Sequence, residues 1–218
     1  MSVLDQIRAS VLATRVIASV DRGMIKQFSL NDNQRCIGMI TGDCDDVTYV
    51  ALDEATKAAE VQVVYARSFY AGAAHASGPL SGEVIGILAG PGPADVMAGL
   101  QRAREVIENE ACFLAGNEDG SLAFFAHVVS ATGSYLSKEG GIKQGEALAY
   151  LIAPPLEAMF GMDAALKAAS VEVAAFFAPP SETNFGGGYL TGSQAACKAA
   201  CDAFQQAVLD VAARPIDI

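Results

Sequence analysis

The chain has 218 residues, enough for one large domain or two domains of about 100 residues each. Hydrophobic residues make up 52% and charged residues 18% of the sequence, a balance typical of a packed globular chain and not of a disordered one. The formal net charge of −11 argues against binding to nucleic acid or to an anionic membrane surface, so neither is expected as a partner.

In chain order, each half of the sequence predicts a strand, a strand, a helix, a strand, a long loop, a strand and a helix. In the first half these elements are expected near 11–20, 35–41, 46–59, 61–66, 83–89 and 94–108. In the second half they are expected near 122–131, 146–152, 155–169, 171–177, 187–191 and 194–212. A polar, glycine-bearing stretch at 109–120 separates the halves, so we expect domains at 1–110 and 111–218.

The two halves repeat one another. Residues 51–64 read ALDEATKAAEVQVV and residues 161–174 read GMDAALKAASVEVA, and both contain D-x-A-x-K-A-A-x-V-x-V. The shared positions are Asp53, Lys57 and Val61 in the first copy and Asp163, Lys167 and Val171 in the second. Such a duplication is compatible with a ring in which three chains give pseudo-sixfold symmetry, although duplicated domains can also stay monomeric.

The start of the chain and its cysteines predict a cytosolic setting. The first residues, MSVLDQIRAS, are too polar for a signal peptide, and no run of about 18 apolar residues lacks charge and glycine. The five cysteines show no disulfide framework, which favours a reducing compartment.

The repeated pattern and the block GSQAACKAACDAF resemble the bacterial microcompartment shell domain. Two copies, each preceded by an extra strand, are similar to the tandem, circularly permuted members of that family. The blocks DDVTYVALDEATK, YLIAPPLEA and LTGSQAACKAACDAF further resemble its ethanolamine-utilisation branch, and the resemblance covers residues 3–215. It implies an α/β fold (α+β, related to the ferredoxin-like fold) of two tandem domains, each a mainly antiparallel sheet flanked by helices.

The same resemblance implies a structural role and no enzymatic activity. It implies a location in the shell of a microcompartment in the bacterial cytoplasm, a pseudohexameric homotrimer, and tiling with other shell proteins. It also implies small acidic pores and a gated central pore, through which small molecules such as ethanolamine and larger cofactors pass. No bound cofactor is expected.

Three acidic residues are candidates for the small pore. Asp45 and Asp46 lie in DCDDVTY at the predicted start of a helix, and Glu83 opens the strand GEVIGIL. Acids at a helix start also stabilise its dipole, and Asp43, Asp45 and Asp46 are possible caps. The resemblance favours the pore, in which carboxylates attract the ammonium group of ethanolamine.

By position within matching blocks, the resemblance assigns Thr183 to the ethanolamine hydroxyl and Phe113 to a contact with the cation. The alternatives are a core role for Phe113 and a hydroxyl of Thr183 that bonds its own backbone. The loops 66–82 and 177–189 are implied to form the central gate, and ordinary surface loops are the alternative. Lys57 and Lys167 are implied to lie at the tile edge, and solvated helix lysines are the alternative.

No metal site or catalytic group is expected. Cys197 and Cys201 lie on one face of a helix, but Val96 and Leu100 occupy these positions in the first copy, which predicts buried apolar positions. With two histidines in the chain, a nucleophilic triad is improbable. Two other functions stay open: a tandem shell protein of a diol-type microcompartment, and a small-molecule sensor or enzyme that uses the acidic pocket.

Overall fold

The computed structural model describes residues 1–69, 82–179, 181 and 184–216. The chain folds into two compact units, with the main break between Ala111 and Cys112, beside the predicted division after residue 110. Two short segments lie with the unit formed by the other half of the sequence. The N-terminal unit consists of Arg8–Ala111 and Gly133–Leu136, and the C-terminal unit consists of Met1–Ile7, Cys112–Thr132 and Ser137–Ile218.

The N-terminal unit is built on a four-stranded antiparallel sheet in the order β2-β3-β5-β4. Its strands are β2 (Val11–Ile17), β3 (Cys36–Gly42), β4 (Gln62–Ser68) and β5 (Val84–Gly90), and its helices are α1 (Arg22–Gln27), α2 (Asp45–Ala58) and α3 (Pro93–Asn109). Proline in the first turn of α3 and acidic residues in the first turn of α2 suit helix starts.

Helices α2 and α3 pack closely on this sheet because two strand positions are glycine. A Cβ atom at Gly38 would lie 2.4 Å from Val96 Cγ1, and one at Gly86 would lie 2.6 Å from Leu52 Cδ1. These separations are shorter than side-chain contacts allow, so larger residues at either position would push the helix off the sheet.

The C-terminal unit contains a six-stranded antiparallel sheet in the order β1-β6-β7-β8-β10-β9. The strands are β1 (Gln6–Ile7), β6 (Phe113–Ala115), β7 (Ala123–Val129), β8 (Ala147–Ala153), β9 (Val171–Phe177) and β10 (Gly186–Gly192), and the long helices are α5 (Pro155–Ala168) and α6 (Gln194–Ala213). The short helix α4 (Ser134–Glu139) starts in the segment that belongs to the N-terminal unit and ends in the C-terminal unit. Phe124, Leu151 and Leu190 of the sheet pack with Met162 of α5 and Phe204 of α6 in one buried cluster. None of the described helices combines the length and hydropathy needed to span a membrane.

The antiparallel sheets flanked by helices confirm the predicted fold class, and each of the main predicted strands and helices is present at its expected place. The sequence patterns did not predict β1, β6, α1 or α4. These elements are short, from two to six residues, so hydrophobic periodicity carries little signal there.

A buried carboxylate joins the segment Gly133–Leu136 to α2. Asp53 is fully buried, its Oδ2 accepts the N–H of Gly133 at 2.6 Å, and its Oδ1 accepts the N–H of Leu136 at 2.8 Å. Burial raises the pKa of Asp53 above its usual value, although these hydrogen bonds and the charge of Lys57 oppose the rise. The carboxylate therefore holds in place a segment that is distant in sequence.

We expect Asp53→Ala to lower the free energy of unfolding by about 2–4 kcal/mol, because it removes the carboxylate that accepts two buried N–H groups. Urea denaturation followed by circular dichroism measures this loss. The matched control is Asp202→Ala on α6, where Asp202 forms an exposed ion pair with Lys198 and the expected loss is about 0.5 kcal/mol or less. Equal losses in the two variants would contradict the role assigned to Asp53.

Candidate functional site

The candidate site lies where β3 ends, α2 begins and β5 begins. In the sheet, Gly42 of β3 pairs with Val84 of β5, and the N–H of Glu83 donates to the carbonyl oxygen of Gly42 at 2.8 Å. This pairing brings Glu83 next to the start of α2, although the two segments are far apart in sequence. Three predicted pore residues, Asp45, Asp46 and Glu83, therefore come together in the N-terminal unit.

Gly82 makes this approach possible, and sequence reasoning did not single it out. Its φ angle is +63°, and a Cβ atom there would lie 2.0 Å from the carbonyl oxygen of Gly42. A side chain at this position would strain the backbone and collide with β3. The available signal was the glycine directly before Glu83 at the predicted start of β5.

The aspartates around the start of α2 do not share one structural role. Asp45 and Asp46 are buried in the first helical turn, and Asp45 Oδ1 accepts the N–H of Asp46 at 2.9 Å. Asp43 is exposed, and its Oδ1 accepts the N–H of Ser10 at 2.6 Å. The N-cap residue is Cys44, which makes no side-chain capping bond. Asp43 thus bonds to the chain before β2, while Asp45 and Asp46 lie where the helix dipole stabilises negative charge.

Burial and nearby negative charges raise two pKa values at this site. Partial burial raises the pKa of Glu83, and the negative charges of Asp45 and Asp43 raise it further. Burial also raises the pKa of the Cys44 thiol, with added contributions from Asp46, Asp45 and Glu83, and this keeps the thiol neutral. No lysine or arginine in the described part of the chain forms a salt bridge with Glu83. The arrangement favours a cationic ligand, which would relieve the repulsion.

The other two residues that the resemblance assigns to the ligand are Phe113 and Thr183. Phe113 lies on β6 of the C-terminal unit, where its ring stacks on Phe125 at 5.2 Å and lies 6.3 Å from Phe185. That environment fits the alternative core role of Phe113. Thr183 lies outside the described residues, as do residues 70–81, 180 and 182, which include most of the first predicted gate loop.

The two predicted tile-edge lysines lie in the last turns of their helices and pair with neighbouring acids. Lys57 on α2 contacts Glu54, and Lys167 on α5 lies 2.5 Å from Asp163. A lysine in the last helical turn is also stabilised by the helix dipole. Their position at a tile edge stays a prediction.

Cys197 and Cys201 are buried on α6, which confirms the prediction of apolar positions. Burial raises the pKa of both thiols, that of Cys201 to about 12. Within the described ranges, no group of three histidine, cysteine, aspartate or glutamate side chains has an arrangement that could hold a metal ion.

Residues 35–117 match the BMC domain family. The chain is 61% identical to the bacterial microcompartment shell protein EutL of Clostridium perfringens (strain 13 / Type A) over 97% of this chain and 98% of that protein. It is 57% identical to EutL of Salmonella typhimurium over 99% of both chains.

Solved structures agree with these relatives. The crystal structure of the ethanolamine utilization protein EutL from Leptotrichia buccalis superposes with a TM-score of 0.96, is 60% identical and covers 100% of both chains. A trimeric bacterial microcompartment shell protein, PduB, superposes with a TM-score of 0.74 over 94% of this chain and 89% of that chain, and at 19% identity it shows a shared fold alone. With this identity over almost its whole length, the chain belongs to the EutL family of bacterial microcompartment shell proteins.

Proposed function

We propose that three copies of this chain form a pseudohexameric tile in the shell of an ethanolamine-utilisation microcompartment, with Asp45, Asp46 and Glu83 lining a small pore. Protonated ethanolamine is the solute that this pore passes. The observation that supports the proposal most directly is the convergence of these carboxylates, brought about by the hydrogen bond from Glu83 to Gly42. Family membership supports the role in the shell, and the cluster of carboxylates supports the preference for a cation.

The chemistry of the solute fits the cluster. Ethanolamine carries an ammonium group at neutral pH, and ammonium donates charge-assisted hydrogen bonds to carboxylates. A constriction lined by negative charges also raises the local concentration of cations. Because a pore must release what it binds, we expect the affinity of the site to be weak.

Negative charge is favoured at the start of α2. Asp45 and Asp46 are buried there. Both lie in the first turn of α2, where unpaired N–H groups and the positive end of the dipole stabilise carboxylates. The start of α2 therefore serves the two roles that the sequence left open, as a helix start stabilised by acids and as the acidic wall of a pore.

The finer parts of the proposal come from the family resemblance. Thr183 contacts the ethanolamine hydroxyl in this proposal. The resemblance also assigns Phe113 to the cation, while its stacking on Phe125 supports the alternative core role. The segments 66–82 and 177–189 open and close a central pore for larger molecules, including cofactors. Lys57 and Lys167 meet neighbouring tiles of other shell proteins.

The trimer is supported by the duplication within the chain. Two similar units per chain provide six units in three chains, which is the number needed for a hexagonal outline. The relative PduB, which has the same fold, is itself described as trimeric.

We expect the wild-type protein to have the mass of three chains in solution. Light scattering coupled to size-exclusion chromatography measures this mass directly. A monomer at all concentrations tested would contradict the proposed tile.

We expect Glu83→Gln to weaken ethanolamine binding at least about tenfold, since a charge-assisted hydrogen bond contributes about 1.5–3 kcal/mol. Calorimetric titration at neutral pH measures this change, and Glu118→Gln, which removes the same charge from an exposed site in the C-terminal unit, is the matched control. Equal affinities of Glu83→Gln and wild type would remove Glu83 from the pore. Tight wild-type binding, or turnover of ethanolamine, would favour a sensor or an enzyme instead.

We also expect Glu83→Gln to raise the melting temperature at neutral pH. The pKa of Glu83 is raised in the folded protein, so protonation of Glu83 stabilises the fold at acidic pH, and this stabilisation is lost as pH rises through the raised pKa. Glutamine mimics the protonated form. The difference in melting temperature between the variant and wild type should therefore vanish at about pH 4, where wild-type Glu83 is protonated. Scanning calorimetry at both pH values tests this, and a variant that melts below wild type at neutral pH would contradict it.

A further inference from the structure

Ser68, the last residue of β4, carries a buried hydroxyl without a hydrogen-bond partner. Its Oγ atom is the one buried side-chain oxygen or nitrogen among the described residues that lacks such a partner. The buried hydroxyls of Thr48 and Thr132, by contrast, donate to the carbonyl oxygens of other residues. An unpaired hydroxyl shielded from water lowers the stability of a fold, so this exception points to a group that a ligand can complete.

Strand pairing places Ser68 beside the carboxylate cluster. Ser68 pairs with Val84 of β5, and Val84 pairs on its other side with Gly42 of β3. The ladder continues for one more bond, in which the N–H of Phe69 donates to the carbonyl oxygen of Glu83 at 2.9 Å. Ser68 therefore lies at the same end of the sheet as Glu83, on the neighbouring strand.

The Ser68 side chain lies on the sheet face that α2 covers. Residues directly opposite one another on antiparallel strands carry their side chains on the same face, so Ser68 shares a face with Val84 and Gly42. A Cβ atom at Gly42 would lie 2.9 Å from Thr48 Oγ1 in the first turns of α2. The start of α2 is thus at the level of Ser68 along the sheet.

Asp45 is on the side of α2 that meets this face. Asp45, Thr48 and Leu52 follow one another at helical spacing, which puts them on one side of the helix. Leu52 meets the sheet at Gly86, two residues beyond the level of Thr48, so α2 runs in the direction of β5. Asp45 precedes Thr48 by one turn and therefore lies toward the end of the sheet that carries Ser68.

We propose that the Ser68 hydroxyl contacts the hydroxyl of ethanolamine in the small pore, while Asp45, Asp46 and Glu83 hold the ammonium group. The inference rests on the proposed function and adds a residue that determines specificity. A hydroxyl has one donor and two acceptor positions, so that of ethanolamine can bond to Ser68 and to Thr183 at the same time. An amine without a hydroxyl leaves the Ser68 oxygen unpaired.

The shielding of the site makes this difference count. Asp45 is 9% exposed and Asp46 is 7% exposed, so the carboxylates are nearly as well shielded from water as the Ser68 oxygen. A ligand that reaches them gives up most of its own contacts with water. Because water does not replace a missing hydrogen bond in such a site, a polar group built to contact a ligand hydroxyl discriminates against analogues that lack it.

The test compares ethanolamine with ethylamine, which has the same ammonium group and no hydroxyl. We expect wild type to bind ethanolamine at least about fivefold more tightly than ethylamine, and Ser68→Ala to reduce this ratio about threefold to tenfold, the effect of one hydrogen bond. The affinity for ethylamine should not fall in the variant. Ligand titrations followed by NMR measure both affinities, and a ratio unchanged by Ser68→Ala would overturn the inference.

Thr132→Val is the matched control, since it removes a buried hydroxyl that has a partner, the carbonyl oxygen of Glu146 at 3.0 Å in the C-terminal unit. It should keep the ligand ratio and lower the melting temperature, whereas Ser68→Ala should melt at or above the temperature of wild type. A Ser68→Ala variant that melts as low as Thr132→Val would indicate a structural bond and contradict the inference.

Glu83→Gln separates this inference from the proposed function. If Glu83→Gln weakens the binding of both amines while Ser68→Ala leaves their ratio unchanged, the role of Ser68 is wrong and the proposed pore stands. If neither amine binds wild type, the proposed pore fails and the role of Ser68 fails with it.

Discussion

The antiparallel pairing of β3 with β5 is the interaction on which the N-terminal unit depends. These two strands form the centre of its sheet, and the register from Cys36–Gly90 to Gly42–Val84 determines where each connection leaves the sheet. Because β3 leads into α2 and β5 follows Glu83, the same register sets both the helix start and the position of that carboxylate. Gly82 then allows the backbone to pass close to Gly42. The carboxylate cluster is thus a direct consequence of strand pairing.

The cluster opposes the stability of the fold at neutral pH. Carboxylates near one another repel, and burial adds a desolvation cost, as the raised pKa of Glu83 reflects. The dipole of α2 offsets part of this cost for Asp45 and Asp46. Sites that bind or pass a ligand commonly lower the stability of the fold in this way, because their charges are neutralised by the ligand and not by other groups of the protein. In the EutL family member described here, a small organic cation completes that balance in our proposal.

Duplication produced two copies of one pattern that now occupy different environments. Asp53 and Asp163 have the same place in the repeat, yet one is a buried acceptor of two backbone N–H groups and the other is an exposed partner of Lys167. The difference arises because the segment Gly133–Leu136 packs on Asp53 and donates two N–H groups to it.

The sequence by itself determined the fold class, the main strands and helices and the duplication, because hydrophobic periodicity and repeated residues are local properties of the chain. It also determined that Cys197 and Cys201 are apolar core positions, through their counterparts Val96 and Leu100. It did not reveal that Asp53 is buried or that Gly82 positions Glu83, because both facts depend on segments that meet only after folding. The short elements β1 and α1 escaped prediction because two to six residues carry little hydrophobic periodicity. Tertiary structure alone decided which acids share one site and which copy of the repeated helix face is covered, since long-range pairing and burial set the environment of each side chain.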